Sequence, residues 1–108
     1  MLFRSVATIV PTMYIEPFGG VAVESMMAGT PVIASDWGAF VETVQPGVSG
    51  ERFRTLAEGA AAVEKVAALD RERVRQFAIA RYGLDSVGRQ FAEHFNRLST
   101  LWGKGWYA

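Results

Sequence analysis

Two short apolar segments, separated by a glycine-rich loop and a short helix, most constrain the fold of this chain. Ala7–Val10 is a β-branched run that ends at Pro11, and Val32–Ser35 is a second run without polar alternation. Runs of this kind are typical of parallel strands that are covered on both faces. Val21–Met27 lies between them and is apolar nearly all round, which predicts a buried helix that stops at Gly29. The pattern therefore predicts an α/β fold with a parallel sheet.

The segments that follow extend this sheet and then become helical. Gly38–Val44 predicts a short helix, and Arg52–Arg54 predicts a weak third strand at a sheet edge. Thr55 and Glu58 form a capping-box pair that opens a helix to about Leu69. The residues expected on the inward face of this helix are Leu56, Ala60, Val63 and Ala67.

Two more helices are predicted toward the end of the chain. Asp70 is expected to cap a helix that ends near Tyr82, and Asp85 or Ser86 is expected to cap the last one. The first of these helices should direct Val74, Phe77 and Ala78 inward. The last carries an apolar stripe at helical spacing, formed by Val87, Phe91, Phe95, Leu98 and Trp102.

Composition excludes several classes of function. The 108 residues suit one small domain, and the balance of 11 basic and 11 acidic residues argues against a nucleic-acid partner. Cysteine is absent, which rules out disulfides, a thiolate nucleophile and a Cys-based zinc site. His94 is the single histidine, so a Ser-His hydrolase is disfavoured. No apolar run approaches the ~20 residues that span a bilayer, and the first residues do not resemble a signal peptide. A cytoplasmic protein is expected.

Three strands are few for a parallel sheet, and they would leave the first strand with an unpaired edge. The chain is therefore interpreted as the back half of a doubly wound domain.

The stretch from Glu16 to Glu24 carries the strongest functional signal. Backbone N–H groups around Gly19–Val21 have no partner within the helix that begins there, and glycine lets a ligand approach that backbone. A helix start after a parallel strand suits phosphate or pyrophosphate, and the two flanking glutamates can accept hydrogen bonds from hydroxyls such as a ribose diol.

Simpler interpretations of individual residues stay open. The two adjacent glycines also suit a tight turn without a ligand, and Glu24 also suits an exposed rim position. Trp37 is compatible with stacking on a nucleobase or sugar, although a loop tryptophan that packs on a neighbouring helix is the more frequent arrangement. Arg71, in a run of alternating charges up to Arg75, is interpreted as part of a solvated helix face rather than a phosphate clamp.

Two longer segments resemble a known enzyme family. Pro11–Gly19 reads P-T-M-Y-I-E-P-F-G, and Val23–Asp36 reads V-E-S-M-M-A-G-T-P-V-I-A-S-D. Both resemble the retaining glycosyltransferases of family four (group 1 glycosyltransferases). The signature of that family is two glutamates separated by seven residues, matched here by Glu16 and Glu24, and the turn Pro46–Gly50 follows in the family's order.

The resemblance implies a fold and a set of site residues. The fold is GT-B, in which two Rossmann-like domains face each other across a cleft. Residues 1–108 would form the C-terminal portion of the nucleotide-sugar donor-binding domain, with a strand-and-loop half that holds the site (1–54) and a helical half (55–108). Glu16 would be the catalytic residue, in contact with donor-sugar hydroxyls. The donor-binding residues implied are Phe18, Gly19 and Gly20 along the sugar, Val21 at the diphosphate and Glu24 at the ribose.

The resemblance also implies an activity. Family members transfer a sugar from a nucleotide donor to an acceptor hydroxyl with retained anomeric configuration, generally without an essential metal. This implies a hexosyltransferase-type enzyme with a nucleotide-diphosphate sugar as donor substrate, a sugar, lipid or glycan as acceptor, and no metal or other cofactor. The family's acceptor-binding N-terminal domain and the basic pair that neutralises the leaving diphosphate have no counterpart here. Because that charge stabilisation is a large catalytic term, the isolated chain is expected to be inactive.

Other functions remain open at this stage. The chain could be a non-catalytic nucleotide-binding or structural half-domain that dimerises through its open strand edge. A nucleotide-sugar epimerase would also fit the fold, but the spacing of the two glutamates favours a transferase. The expected partners are the nucleotide-sugar donor, the acceptor, and either a second copy of the chain or a missing N-terminal domain. A membrane-peripheral location of the full-length enzyme also remains open.

Overall fold

The computed structural model describes residues 4–104, apart from the side chains of Trp102 and Lys104. Its elements are β1 (Thr8–Val10), α1 (Gly20–Met27), β2 (Val32–Ser35), α2 (Phe40–Thr43), β3 (Gly50–Phe53), α3 (Leu56–Ala67), α4 (Arg71–Tyr82) and α5 (Leu84–Lys104). They belong to two compact units that divide between Ala78 and Ile79. Every strand and helix predicted from the sequence is present, within a few residues of its expected bounds.

The three strands form one parallel sheet in the order β1-β2-β3. Thr8 of β1 pairs with Val32, and Ile33 pairs with Glu51 of β3. The central strand β2 is buried at every residue, which explains why its sequence shows no polar alternation. In the described sheet β1 and β3 are the edges. The prediction of an α/β fold with a parallel sheet and C-terminal helices is confirmed.

Helices cover both faces of this sheet. On one face the Ser25 hydroxyl of α1 lies 2.7 Å from the Thr8 hydroxyl of β1. Ile33 follows the strand partner of Thr8, so its side chain points to the other face, because successive residues of a strand alternate. There it packs against Ala62 and Val66 of α3. A loop, residues 11–19, connects the carboxyl end of β1 to the start of α1.

The buried face of α3 differs from the predicted one. Ala62 and Val66 are buried, whereas the residues expected on the inward face are exposed: Leu56, Ala60, Val63 and Ala67. Alanine occurs on every side of this helix, so its apolar pattern did not determine which face packs on the sheet. The predicted cap is confirmed, because Thr55 Oγ1 accepts a hydrogen bond from the Glu58 amide at 3.2 Å.

Arg71, the first residue of α4, is exposed as predicted, but its side chain also makes contacts that the sequence did not indicate. Its guanidinium donates to the carbonyl oxygens of Ser5 at 2.8 Å and Gly29 at 3.0 Å, and to the Thr30 hydroxyl at 2.8 Å. It therefore joins the start of α4 to two segments that are distant in sequence, at Ser5 and at Gly29–Thr30. The run of alternating charges around Arg71 gave no signal of these contacts, because its acceptors are carbonyl and hydroxyl groups elsewhere in the chain. Arg75 behaves as predicted and forms an exposed ion pair with Glu72.

Helix α4 otherwise follows the sequence prediction. Val74 and Ala78 are buried and Phe77 is half-buried. Asp70 caps the helix, since its Oδ1 accepts a hydrogen bond from the Glu72 amide at 3.0 Å. The inward face and the cap are both confirmed.

The start of α5 corrects another prediction. The helix begins at Leu84, so neither Asp85 nor Ser86 is its N-cap. The Ser86 hydroxyl instead donates to the Ala80 carbonyl at 2.6 Å.

The apolar stripe of α5 is present over its described length. Phe91 and Phe95 stack with 6.1 Å between ring centroids, and Leu98 is exposed on the same helix. The side chain of Trp102, which the sequence placed on this stripe, lies outside the described residues.

Candidate functional site

A cleft of about 550 Å³ lies where β1 ends and α1 begins. Its lining comprises Ile9, Val10, Pro11, Thr12, Tyr14, Glu16, Gly19, Gly20, Val21, Glu24 and Phe40. All site residues that the sequence predicted line this cleft, except Phe18. The side chain of Phe18 is half-exposed outside the lining, and its amide faces Glu16.

The Glu16 carboxylate accepts hydrogen bonds from three local donors. Oε1 accepts from the amides of Gly19 at 3.0 Å and Phe18 at 3.4 Å, and Oε2 accepts from the Tyr14 hydroxyl at 2.8 Å. The Tyr14 hydroxyl, with the two amides, holds the pKa of the Glu16 carboxyl below its usual range, although desolvation acts in the opposite direction. The same hydrogen bond raises the pKa of Tyr14. Glu16 is therefore a carboxylate, and not a carboxylic acid, at neutral pH.

The backbone around Glu16 is fixed by the segment that precedes α2. The Glu16 carbonyl accepts a hydrogen bond from the Ala39 amide at 2.8 Å. A Cβ at Gly38, where φ is +63°, would lie 2.7 Å from the Glu16 nitrogen, so only glycine allows this approach. Trp37 donates from Nε1 to the Tyr14 carbonyl at 3.1 Å. Its indole thus contacts the site loop, an arrangement that sequence reasoning missed because it considered only a ligand or a helix.

The two adjacent glycines meet different requirements. Gly19 has φ +78°, and a Cβ there would lie 2.6 Å from Cε1 of the buried Phe40. A Cβ at Gly20 would meet no atom within 4 Å. The fold therefore requires glycine at position 19, whereas the space above Gly20 belongs to the open cleft.

Two backbone amides at the start of α1 have no hydrogen-bond acceptor within the described part of the chain, those of Gly20 and Val21. The next two amides of the helix both bond to the Gly19 carbonyl, at 3.0 and 3.4 Å. The Gly19 amide itself is bound by the Glu16 carboxylate. The Gly19 amide thus has no partner within the helix, as predicted, but it is taken by Glu16, and only the amides of Gly20 and Val21 face the cleft without an acceptor among the described residues.

Among the residues that the structure describes, those with a charge that line the cleft are both glutamates. Glu24 is exposed one turn inside α1, and its carboxylate has no ion-pair or hydrogen-bond partner among the described residues. The described part of the lining contains neither lysine nor arginine. Among the described residues, no group of three or more His, Cys, Asp or Glu side chains could hold a metal ion.

Two arginines beyond the cleft are held by Asp36, at the end of β2. Arg52 Nε donates to Asp36 Oδ1 at 2.8 Å, and Arg54 Nε donates to Oδ2 at 3.0 Å. Desolvation raises the pKa of Asp36, but the hydrogen bonds and charges of Arg52 and Arg54 outweigh it, and the pKa lies below its usual range. This pairing keeps both guanidinium groups at the sheet edge.

A family model described as "Glycosyl transferases group 1" matches residues 1–81. The chain belongs to the group 1 glycosyltransferases. This membership favours the transferase over the non-catalytic half-domain that the sequence left open.

Relatives of this glycosyltransferase chain include proteins named as a glycosyltransferase and as a glycogen synthase. The D-inositol 3-phosphate glycosyltransferase of Nocardiopsis dassonvillei is 48% identical over 52 residues, which cover 48% of this chain and 12% of that protein. The glycogen synthase of Mycobacterium tuberculosis is 43% identical over 68 residues, which cover 61% of this chain and 16% of that protein. The matched regions thus span only a small part of these relatives.

A solved structure shares the fold of this glycosyltransferase chain. AviGT4, a glycosyltransferase involved in avilamycin A biosynthesis, matches with a TM-score of 0.70 and 23% identity over 90% of this chain and 31% of its own. The match shows the GT-B glycosyltransferase fold, of which this chain spans about a third. Within the described residues, no helix has the length and apolar character needed to cross a membrane.

Proposed function

We propose that this chain binds a nucleotide-sugar donor in the cleft for retaining hexosyl transfer to an acceptor hydroxyl. One observation carries the proposal: at the start of α1, the Gly20 and Val21 amides lack a protein acceptor and border open space. Free amides at a helix N-terminus favour an anion, because the helix dipole adds to the N–H groups. The names of the relatives, which include a glycogen synthase and an inositol phosphate glycosyltransferase, support a sugar-transfer reaction.

In this proposal each polar group of the cleft binds a different part of the donor. The Gly20 and Val21 amides bind the diphosphate, and Glu24, one turn further along α1, accepts hydrogen bonds from the ribose diol. Glu16 is the catalytic residue and contacts hydroxyls of the sugar. Phe18 and Gly19 act through the turn that they form, since their amides already bond to Glu16. The donor is a substrate, and the proposal includes no metal or other cofactor.

The charge of the cleft leads to a second part of the proposal. Two carboxylates and no cation of the described residues line it, so these residues do not neutralise the charge of a leaving diphosphate. We expect binding of about millimolar strength, near −4 kcal/mol, and no turnover by the isolated chain. The sugar, lipid or glycan acceptor and the missing positive charge would come from a further domain, in a cytoplasmic enzyme. A transfer activity that survives repurification and disappears in Glu16→Ala would contradict this expectation.

Saturation-transfer NMR on the folded chain tests the donor site, because it detects weak binding. The probes are UDP, GDP and ADP and their glucose conjugates, and the variants are Glu24→Ala and Glu42→Ala. Glu42 is a matched control, since it is also an exposed glutamate on a helix but lies outside the cleft lining. We expect ribose protons to be saturated by the wild type and by Glu42→Ala, and not by Glu24→Ala.

Two results would count against the proposal. Equal ribose signals from the wild type and Glu24→Ala would refute the role of Glu24. No signal from a well-folded wild type with any of the nucleotides would refute a donor site on this chain.

A further inference from the structure

The Glu16 carboxylate has one unused hydrogen-bonding position that can be located by counting its donors. Each carboxylate oxygen can accept about two hydrogen bonds. Oε1 accepts from two amides, whereas Oε2 accepts only from the Tyr14 hydroxyl. A sugar hydroxyl that bonds to Glu16 therefore has to approach Oε2, beside Tyr14.

Building on the proposed donor site, we infer that Tyr14 is a positioning residue for Glu16. Its hydroxyl occupies one acceptor position of Oε2 and thereby orients the other toward a hydroxyl of the donor sugar. Tyr14 and Glu16 both line the cleft, so their hydrogen-bonded pair belongs to the wall where the sugar is proposed to bind. Tyr14 takes no part in the reaction itself and acts through the carboxylate.

The loop is built so that Tyr14 can perform this function. Its carbonyl is held by Trp37 Nε1 at 3.1 Å, and the Glu16 carbonyl is held by the Ala39 amide at 2.8 Å. Both residues are thus fixed at the backbone, independently of the bond between their side chains. The Phe18 and Gly19 amides already hold Oε1 of Glu16, and the Tyr14 hydroxyl at Oε2 restricts the remaining rotation of the half-buried carboxylate before the ligand arrives.

The variant Tyr14→Phe tests this inference, since it deletes one hydroxyl from a side chain that is 65% exposed. Tyr82→Phe is the matched control, because it deletes the same group outside the cleft lining. The first readout is the pH titration of the Glu16 carboxyl carbon by NMR without any donor. We expect its midpoint to rise in Tyr14→Phe and to stay unchanged in Tyr82→Phe, with the Gly19 amide signal retained in both.

The second readout is saturation transfer from the wild type and both variants to UDP-, GDP- and ADP-glucose. Loss of one positioned hydrogen bond is expected to lower sugar-proton saturation by about 3- to 10-fold in Tyr14→Phe. Ribose-proton saturation, which depends on Glu24, should change much less, so the sugar-to-ribose ratio falls. A role of Tyr14 in stability alone would lower both signals together.

Each outcome is decisive. An unchanged Glu16 titration in Tyr14→Phe, or an unchanged sugar-to-ribose ratio, would overturn the positioning role of Tyr14. If Tyr14→Phe binds donors as the wild type does, only the role of Tyr14 is refuted and the donor site stands. If the folded wild type binds none of the three donors, the proposed function is refuted, and the role of Tyr14 toward the sugar with it.

Discussion

Alanine substitutions at Gly19 and Gly20 separate what the fold requires from what a ligand requires. At Gly19 the backbone is left-handed, which costs a residue with a Cβ about 1–2 kcal/mol. The new methyl group would also lie 2.6 Å from the buried Phe40 ring, and overpacking of this kind costs about 1–3 kcal/mol. We therefore expect Gly19→Ala to lower the free energy of unfolding by roughly 2–5 kcal/mol.

Gly20→Ala adds the same methyl group one residue later, with the opposite expectation. Gly20 is the first residue of α1, and the added Cβ meets no protein atom. Alanine should stabilise the chain by about 0.4–1 kcal/mol, because the unfolded state loses freedom. Since about 1 kcal/mol shifts the Tm of a domain of this size by about 4–8 °C, Gly20→Ala should raise the Tm by roughly 2–8 °C. Gly19→Ala should lower it by about 8 °C or more.

Gly20→Ala should weaken donor binding although it stabilises the fold. The methyl group of Gly20→Ala fills the space beside the two unpaired amides, so saturation of donor protons should fall by about tenfold or more, equal to about 1.4 kcal/mol. Thermal unfolding by circular dichroism and saturation-transfer NMR on the same samples provide the two measurements. If Gly20→Ala proved as unstable as Gly19→Ala, the open space above Gly20 would be refuted. If it were stable and bound donors normally, the anion site would be refuted.

Three further substitutions, one of them with a control variant, test contacts outside the cleft. Asp36→Asn should lower the free energy of unfolding by about 1.5–3 kcal/mol near neutral pH. Because the pKa of Asp36 is lowered in the folded state, this difference should shrink as pH falls below about 4, which urea unfolding over that range would check. Arg71→Ala, which removes three hydrogen bonds, should cost about 2–4 kcal/mol, whereas the exposed Arg75→Ala should stay within about 0.5 kcal/mol of wild type by the same assay. Thr55→Ala, which removes the cap of α3, should lower the free energy of unfolding by about 1 kcal/mol.

Local sequence patterns predicted the elements of the fold well. The unbroken apolar run of β2 indicated a strand buried on both faces, and Thr55 marked the start of α3, since both signals depend on neighbouring residues only. The face of α3 was not predictable in this way. Its alanines give several equivalent faces, and the choice between them depends on Ile33, more than twenty residues earlier in the chain.

The same distinction applies to the cleft. Gly20, Val21 and Glu24 were predicted from their order along one segment, and the structure places them in one lining. Tyr14 was missed, because two residues separated by one position in a loop have no fixed relative orientation until the loop is folded. That orientation comes from Trp37 and Gly38, whose contacts to the loop leave no periodic trace in the sequence.

The order of the strands implies a gradient of hydrogen exchange across the sheet. β2 is paired on both sides and buried, so its amides should exchange only when the whole unit unfolds. β1 is paired on one side in the described sheet, and it directly precedes the loop that carries Glu16. Opening of β1 alone would therefore release the wall of the cleft while α3 remains packed on β2. Local opening of this edge strand costs less free energy than global unfolding. It would therefore determine the fraction of molecules in which the cleft is formed.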